Sequence, residues 1–454
     1  MKKFLLLFLT ASTACFAQDH YIGANTSGRT GIVNGALNPA ELANLSKKFE
    51  VNITGLSFNV SNNIVSMNDL TSDNDLEDLI FDSSKAVSAN FDGEFMLPGV
   101  AMRWQKWGFA ITSKANVKFD LVDVDPSIGQ SIINTVDITS SGTTTIGNDY
   151  NQRLNGTTWG EIGFSAARNV YEDDQHLFNA GITLKLLFPG AYTNFGVDKF
   201  HGEITTIYNA ASPENTLAYL NNTTATLNFA YSGNLANSFV DASDYSSSLF
   251  GGLHGFATDL GVNYRWKDTE DKKYKINAGV AFRNIGSMTF SDNNNSSNSY
   301  RLDIHEAGPG LDLTVFSGAE SIKDVEKILL DSGYMTKTKS NKDFKVKLPT
   351  TFSVYADFKL YTKFFITGQL QQKLHNNNDN DQITSQNSFS IIPRVNLGFF
   401  EAYIPFTHNE ISGGNTGLGF RLGGFYMGSG SIISALLTNS KQVDMNMGFR
   451  WAFL

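Results

Sequence analysis

Val443 to Leu454 reads VDMNMGFRWAFL, and its side chains alternate in character. Val443, Met445, Met447, Phe449, Trp451 and Phe453 fall on one face, and Asp444, Asn446, Gly448, Arg450 and Ala452 on the other. A period of two marks an extended strand with one apolar face and one polar or small face. In a soluble sandwich the apolar face would meet a core. In a transmembrane barrel it would meet lipid, while the other face lines the lumen. Phe449, Trp451 and Phe453 suit the last strand of an outer-membrane barrel, the strand expected to engage barrel-assembly machinery. Leu454 follows them where the commonest barrel ending has an aromatic residue.

The other end of the chain points to the same compartment. Residues 1–17 read as a secretory signal: Lys2 and Lys3 are the positive region, Phe4 to Leu9 the apolar run, and Ala17 a small residue for cleavage. The apolar run is much shorter than the roughly 20 residues of a membrane-spanning helix. Lipidation at Cys15 is the alternative, although Ser12 stands where a lipoprotein signal usually carries an aliphatic residue. Cleavage after Ala17 would remove the chain's one cysteine and with it disulfides and thiolate metal sites. Loss of Lys2 and Lys3 would also move the formal net charge from −9 to −11, which argues against a nucleic-acid partner. Charged residues are 17% of the chain and aromatics 12%, with 40 glycines, a balance that fits a membrane barrel better than a soluble α/β enzyme.

Alternating segments recur along the chain. Val100–Trp104 and Trp107–Leu121 form a hairpin about Gln105-Lys106. Thr157–Tyr171 and Leu177–Phe188 flank the acidic turn Glu172–Gln175. Phe256–Trp266 pairs with Tyr274–Phe282, and Phe352–Leu360 with Phe364–Leu370. Lys47–Val60, Phe389–Val395, Phe399–Phe406 and Leu418–Met427 complete the set with the terminal strand. Longer polar stretches separate them: Ser61–Asn90, Val122–Gly156, Pro189–Asn222, Ser291–Lys347 and Asn376–Asn387. Short turns alternating with long loops are the outer-membrane arrangement, with long loops outside. The expected fold is an all-β, transmembrane antiparallel barrel of about fourteen strands. Residues 189–252 do not resolve into strands, and the up-and-down parity fails toward the C-terminus. Short helices are expected at Asp73–Asp82 and Gly318–Gly333, the second with apolar residues at Ile322, Val325, Ile328 and Leu329. No repeat of 40–50 residues supports a propeller.

Residues 18–46 precede the barrel, which is expected to occupy 47–454. Gly23–Leu45 (GANTSGRTGIVNGALNPAELANL) is rich in small residues, and Pro39 suits a rigid bend that opens a short helix. This stretch, with Asn38-Pro39-Ala40 just ahead of the first strand, resembles the FadL-like long-chain fatty-acid transporters and the related PorV-like barrels. The resemblance implies an N-terminal plug inside the barrel. Leu418–Gly430 (LGFRLGGFYMGSG), Ile432–Leu437, Leu348-Pro349-Thr350 and Ala278–Gly286 (AGVAFRNIG) resemble an uncharacterised outer-membrane family of FadL-like architecture.

Catalytic constellations are absent from the sequence. The seven histidines are scattered without a pair at metal-ligand spacing, and no nucleophile elbow or phosphate loop occurs. Asp73, Asp75, Glu77 and Asp78, and separately Asp379 and Asp381, could offer oxygen ligands to calcium, but both runs lack the glycine and closing glutamate of an EF-hand loop and read as solvated loop. No catalytic residue, metal or cofactor is assigned. Arg421 and Arg450 fall on the lumen face, where carboxylates from the plug or neighbouring strands are expected to pair with them. The sequence therefore points to a non-enzymatic barrel of the bacterial outer membrane, embedded in outer-membrane lipid. Its expected role is passage of a small hydrophobic ligand, and the alternative is a scaffold that binds a protein partner in surface or secretion machinery.

Overall fold

A computed structural model describes residues 20–29, 31–72, 79–80, 83–127, 141–208, 217–234, 251–268, 274–291, 295–305, 310–437 and 439–453. The expected signal at 1–17, Cys15 and the acidic run at 73–78 lie outside the described residues, as does most of the helix expected at 73–82.

Fourteen strand positions close into an antiparallel ring. In chain order they are Phe49–Asn62; Val87–Met96 continued by Gly99–Trp104; Trp107–Val124; Gln152–Glu172; His176–Ile207; Gly255–Lys267; Tyr274–Phe290; Phe344–Lys347 continued by Thr351–Tyr361; Phe364–Lys373; Ser388–Asn396; Phe400–Tyr403 continued by Phe406–Asn409; Gly413–Thr416 continued by Leu418–Leu422; Phe425–Ser429; and Gln442–Phe453. The first and last strands pair from Phe49 with Phe453 to Ser61 with Gln442, so the sheet has no free edge along this seam. Three of the four interrupted strands break at a proline (Pro98, Pro349 and Pro405) and the fourth at Gly417. Proline has no N–H to give the ladder, so a break at that residue costs the sheet least.

The period of two sorts side chains between lipid and lumen. Trp451 is 62% exposed on the outer surface, whereas Arg450 beside it is 1% exposed inside. Phe449, Phe453, Leu184, Val262, Phe256 and Phe364 continue the apolar outer belt. Facing inward are Glu50, Asn52, Lys118, Asn446 and Asp444, all buried, and the half-buried Asp92. Among the described residues no helix is long and apolar enough to cross a membrane; the crossing is made by strands.

The strand assignment needs correction. Val87–Met96 begins within Ser61–Asn90, and Ser296–Ile304, Met335–Asn341 and Phe344–Lys347 lie within Ser291–Lys347, both read as loop. Two further parts differ in kind. Leu418–Met427 is a hairpin, not one strand: Leu418–Leu422 pairs with Phe425–Ser429 around Gly423-Gly424. Gly423 has φ +60°, a left-handed conformation that glycine adopts without a Cβ clash. Recognising this turn restores the parity that fails in the sequence. The second correction concerns Pro189–Asn222, read as loop. Pro189 to Ile207 continues the strand that begins at His176 and rises beyond the ring to pair with Leu217–Ser232. The polar character of this region reflects strands that have left the apolar belt.

Above the ring these extensions form an outer annex. Leu217–Ser232 also pairs with Ser296–Ile304, which pairs with Met335–Asn341, and Gly142–Gly147 lies along the raised part of His176–Ile207. Within Gly318–Gly333 the structure places a helix at Ile322–Asp331, capped by the Ser321 side chain. Ile322 and Leu329 enter an apolar core with Phe200, Leu227, Phe229 and Tyr300. Glu326, buried on the same helix, accepts hydrogen bonds from Tyr300 Oη (2.5 Å), Tyr231 Oη (3.0 Å) and Asn298 Nδ2 (2.8 Å).

Leu260 lies near the middle of Gly255–Lys267 on the outer face. Leu260→Arg should cost about 2–4 kcal/mol if that surface is in hydrocarbon, read as loss of the heat-modifiable folded band on gels. Deletion of Phe449–Leu454 should abolish that band, because it opens the seam.

Candidate functional site

The N-terminal segment occupies the lumen near the barrel end that carries Phe49 and Phe453. It forms a helix at Ile32–Leu37 and a 3-10 helix at Pro39–Asn44, with the intervening Asn38 wholly buried. Asn38 Oδ1 accepts the Ala40 N–H (3.0 Å), and its Nδ2 donates to the Val262 carbonyl of the adjoining wall (2.9 Å). Pro39 stands at the first helical turn, where a missing N–H costs nothing. The wall is cut away to receive this turn: a Cβ on Gly261 would lie 2.0 Å from Asn38 Oδ1, and one on Gly181 2.5 Å from Ala40 N. Asn38, Pro39 and Ala40 are therefore seated against glycines of the barrel wall.

Glu41, one residue further on, is the main polar anchor. Its carboxylate accepts from Tyr355 Oη (2.5 Å), Arg265 Nη2 (2.8 Å), Asn277 Nδ2 (2.9 Å), Asn263 Nδ2 (3.0 Å) and Asn44 Nδ2 (3.0 Å). Burial opposes its ionisation, but the Arg265 guanidinium and the surrounding donors hold the carboxyl below the ordinary glutamate range. At the seam, Glu50 Oε1 accepts the Ile32 N–H (2.9 Å) and lies 3.5 Å from Arg450 Nη1, while Arg450 Nη2 donates to the Arg29 carbonyl (2.6 Å). Arg421 donates to the Gly398 carbonyl (2.9 Å) and lies 3.6 Å from Glu401. Both sequence-selected arginines thus face inward beside carboxylates of neighbouring strands.

A second segment narrows the lumen from the other side. The loop between Phe364–Lys373 and Ser388–Asn396 folds inward across the ring. Arg153 donates to the carbonyls of Gln382 (3.0 Å) and Asn377 (2.5 Å), and Asn151 Nδ2 to that of Asn378 (2.6 Å). Lys347 N–H donates to the Asp381 carbonyl (3.0 Å). Ile383 is buried among Trp159, Leu187, Tyr192, Phe344 and Leu348. This loop contains Asp379 and Asp381; among the described residues no three metal-ligating side chains come together.

Between the two seals lies a cavity of about 110 Å³, bounded below by His20, Tyr21, Asn25 and Leu37 and above by Ser385 and Gln386. Its wall is polar. Lys118 Nζ donates to the Thr384 carbonyl of the upper seal (3.3 Å) and pairs with Asp92 (2.5 Å); Asp92 lies 3.2 Å from His20 Nε2 of the lower segment, whose Nδ1 is 3.0 Å from Ser57 Oγ. One chain of charged contacts therefore links both seals. Burial disfavours the His20 cation, but the Asp92 carboxylate, aided by Glu94, raises its pKa above 6.5. Sequence reasoning missed His20, Glu41, Lys118 and Arg153. The in-phase run Lys114, Asn116, Lys118, Asp120 was the available signal of a charged lumen face.

A family model described as "Family of unknown function (DUF5723)" matches residues 39–430. No curated protein matches the chain. Among solved structures it is similar to the P. putida toluene transporter TodX (9% identity, 93% of this chain and 94% of that one, TM-score 0.44). It is also similar to the Ralstonia pickettii toluene transporter TbuX (10% identity, 94% and 95%, TM-score 0.41). A third is the translocator domain of the autotransporter NalP from Neisseria meningitidis (7% identity, 93% and 95%, TM-score 0.32).

Glu41→Ala should destabilise the seated segment by about 3–5 kcal/mol, because it leaves Arg265 without its carboxylate, and should expose residues 31–45 to limited proteolysis. The raised His20 pKa predicts tethering that is full below 6.5 and is lost as pH rises through the folded-state value. Hydrogen exchange of residues 20–29 should be faster at about pH 9 than at about pH 6 after correction for intrinsic rates, and His20→Ala should remove the difference.

Proposed function

The chain belongs to the DUF5723 family, whose function is unknown, and we propose that it acts as a gated outer-membrane channel for a small molecule. The observation that carries this reading is the cavity held between two luminal seals inside a closed ring. A barrel serving only as a rigid support needs no such chamber. A channel that moves one small molecule at a time does, with seals that yield in turn. The seals are suited to move, because each is a short segment outside the ring, the lower one held largely by side-chain contacts and the upper one by side-chain contacts and a single backbone bridge at Lys347. The lower one is fixed by Glu41, Asn38 and Arg450, the upper one by Arg153, Asn151 and Lys118. The chain Thr384–Lys118–Asp92–His20 would let displacement of one seal weaken the other. The reading requires no covalent chemistry.

A hydrophobic cargo fits this interior poorly. The chamber is lined by Asp92, Glu94, Lys114, Lys118 and Lys185, and by amides, so an apolar molecule would desolvate them without replacing their contacts. The scaffold reading draws support from one feature, the outer annex, which has its own apolar core and offers a rigid surface beyond the membrane.

In planar bilayers the intact protein should conduct ions weakly, since a segment enters the lumen from each side of the cavity. Deleting residues 376–386 should raise conductance at least tenfold in a variant that keeps its heat-modifiable band. Unchanged conductance in that folded variant would count against the two-seal channel.

A further inference from the structure

The polar groups around the chamber differ in how much binding capacity remains to them. The charged ones are largely satisfied by each other: Asp92 by Lys118 (2.5 Å) and His20 (3.2 Å), Glu94 by Lys114 (3.0 Å), and Lys185 by Asp259 (2.9 Å) and Glu161 (3.5 Å). Several of the neutral ones are not. Asn59 Oδ1, Asn446 Oδ1 and Gln386 Oε1 are acceptors without a hydrogen-bond partner in the protein, and Asn116 Nδ2 and Trp159 Nε1 are donors in the same position. Each belongs to a cavity-lining side chain at least nine-tenths buried. The second oxygen of Glu94, Oε1, is likewise unpartnered.

We propose that the chamber binds a neutral, polyhydroxylated solute of monosaccharide size. Apart from Glu94 Oε1, an acceptor that a hydroxyl can also serve, the named groups with capacity to spare are neutral and of both kinds, acceptor and donor. A hydroxyl supplies both a donor and acceptors, so a ring of hydroxyls can satisfy amide oxygens, an amide N–H and an indole N–H together. A charged solute would have to break an existing ion pair, displace Gln371 from Arg283, or remain uncompensated in a buried site. An apolar one would leave the amides unpaired. The volume is adequate: one water needs about 10–15 Å³ on this measure, so about 110 Å³ holds several waters or one small polyol. The solute's role as cargo rests on the channel reading; its binding does not.

The test is equilibrium dialysis of the purified full chain, overnight, against radiolabelled D-glucose and myo-inositol, with D-glucuronate, D-glucosamine and toluene as comparators. At least one of the two polyols should bind saturably to one site, at least tenfold more tightly than every comparator. Asn116→Leu and Asn59→Leu, each retaining heat-modifiable migration, should each weaken it tenfold or more. No saturable binding of either polyol, meaning solvent alone fills the chamber, would overturn the proposal. So would tighter binding of a charged sugar or toluene, or folded variants that bind as the parent does. Uptake of the bound polyol into proteoliposomes separates the two readings: binding without uptake defeats the channel but leaves this site, whereas conductance without polyol binding does the reverse.

Discussion

A chain that crosses a membrane as strands must pair every backbone N–H and C=O within itself, because hydrocarbon offers no replacement. Here that requirement is met at the seam between Phe49–Asn62 and Gln442–Phe453, where the two ends of the ring join. The seam does more than close the sheet. Its register sets Asn52 opposite Arg450 and Glu50 opposite Ala452, so Glu50 and Arg450 become diagonal neighbours on the luminal face. Those two side chains then hold the backbone of the N-terminal segment at Ile32 and Arg29. The contact that completes the barrel therefore also tethers what fills it.

The same coupling of wall and contents recurs higher in the lumen. Asp92 and Lys118 are direct cross-strand partners, fixed by the pairing of Val87–Met96 with Trp107–Val124. Each has capacity beyond that pair, and each uses it on a different seal: Asp92 on His20, Lys118 on the Thr384 carbonyl. Buried ion pairs add little net stability once desolvation is counted. What they supply in this barrel is position, because a charge inside it has few places where it can be compensated. Glu41 is the extreme case, with five donors drawn from three wall strands and from its own turn.

Much of the ring was legible because strand alternation is a local property. The hairpins about Gln105-Lys106 and Glu172–Gln175 and the terminal strand lie where their patterns place them, and the helix at Ile322–Asp331 follows its periodic apolar residues. The misreadings have physical causes. Leu418–Met427 reads as one strand because Gly423-Gly424 turns the chain without adding a polar residue. Pro189–Ile207 reads as loop because beyond the bilayer a strand no longer needs an apolar outer face. The candidate site was less legible. Pro39 as the start of a turn could be read from its fixed φ, but the glycines that receive it, Gly181 and Gly261, lie far along the chain.

Sequence by itself determined, in the strands whose alternation is clean, which side chains face lipid and which face inward, since a period of two acts between neighbours and needs no knowledge of the partner strand. It also determined that arginines 421 and 450 would share the lumen with small and polar residues. Only the tertiary structure decided which luminal groups meet. Arg153 reaches Gln382 across 229 positions of sequence, and Arg265 reaches Glu41 across 224. Such pairs are set by ring closure and by two segments folding into it. No local pattern encodes a distance across a lumen, and the chamber exists only because those distances are satisfied together.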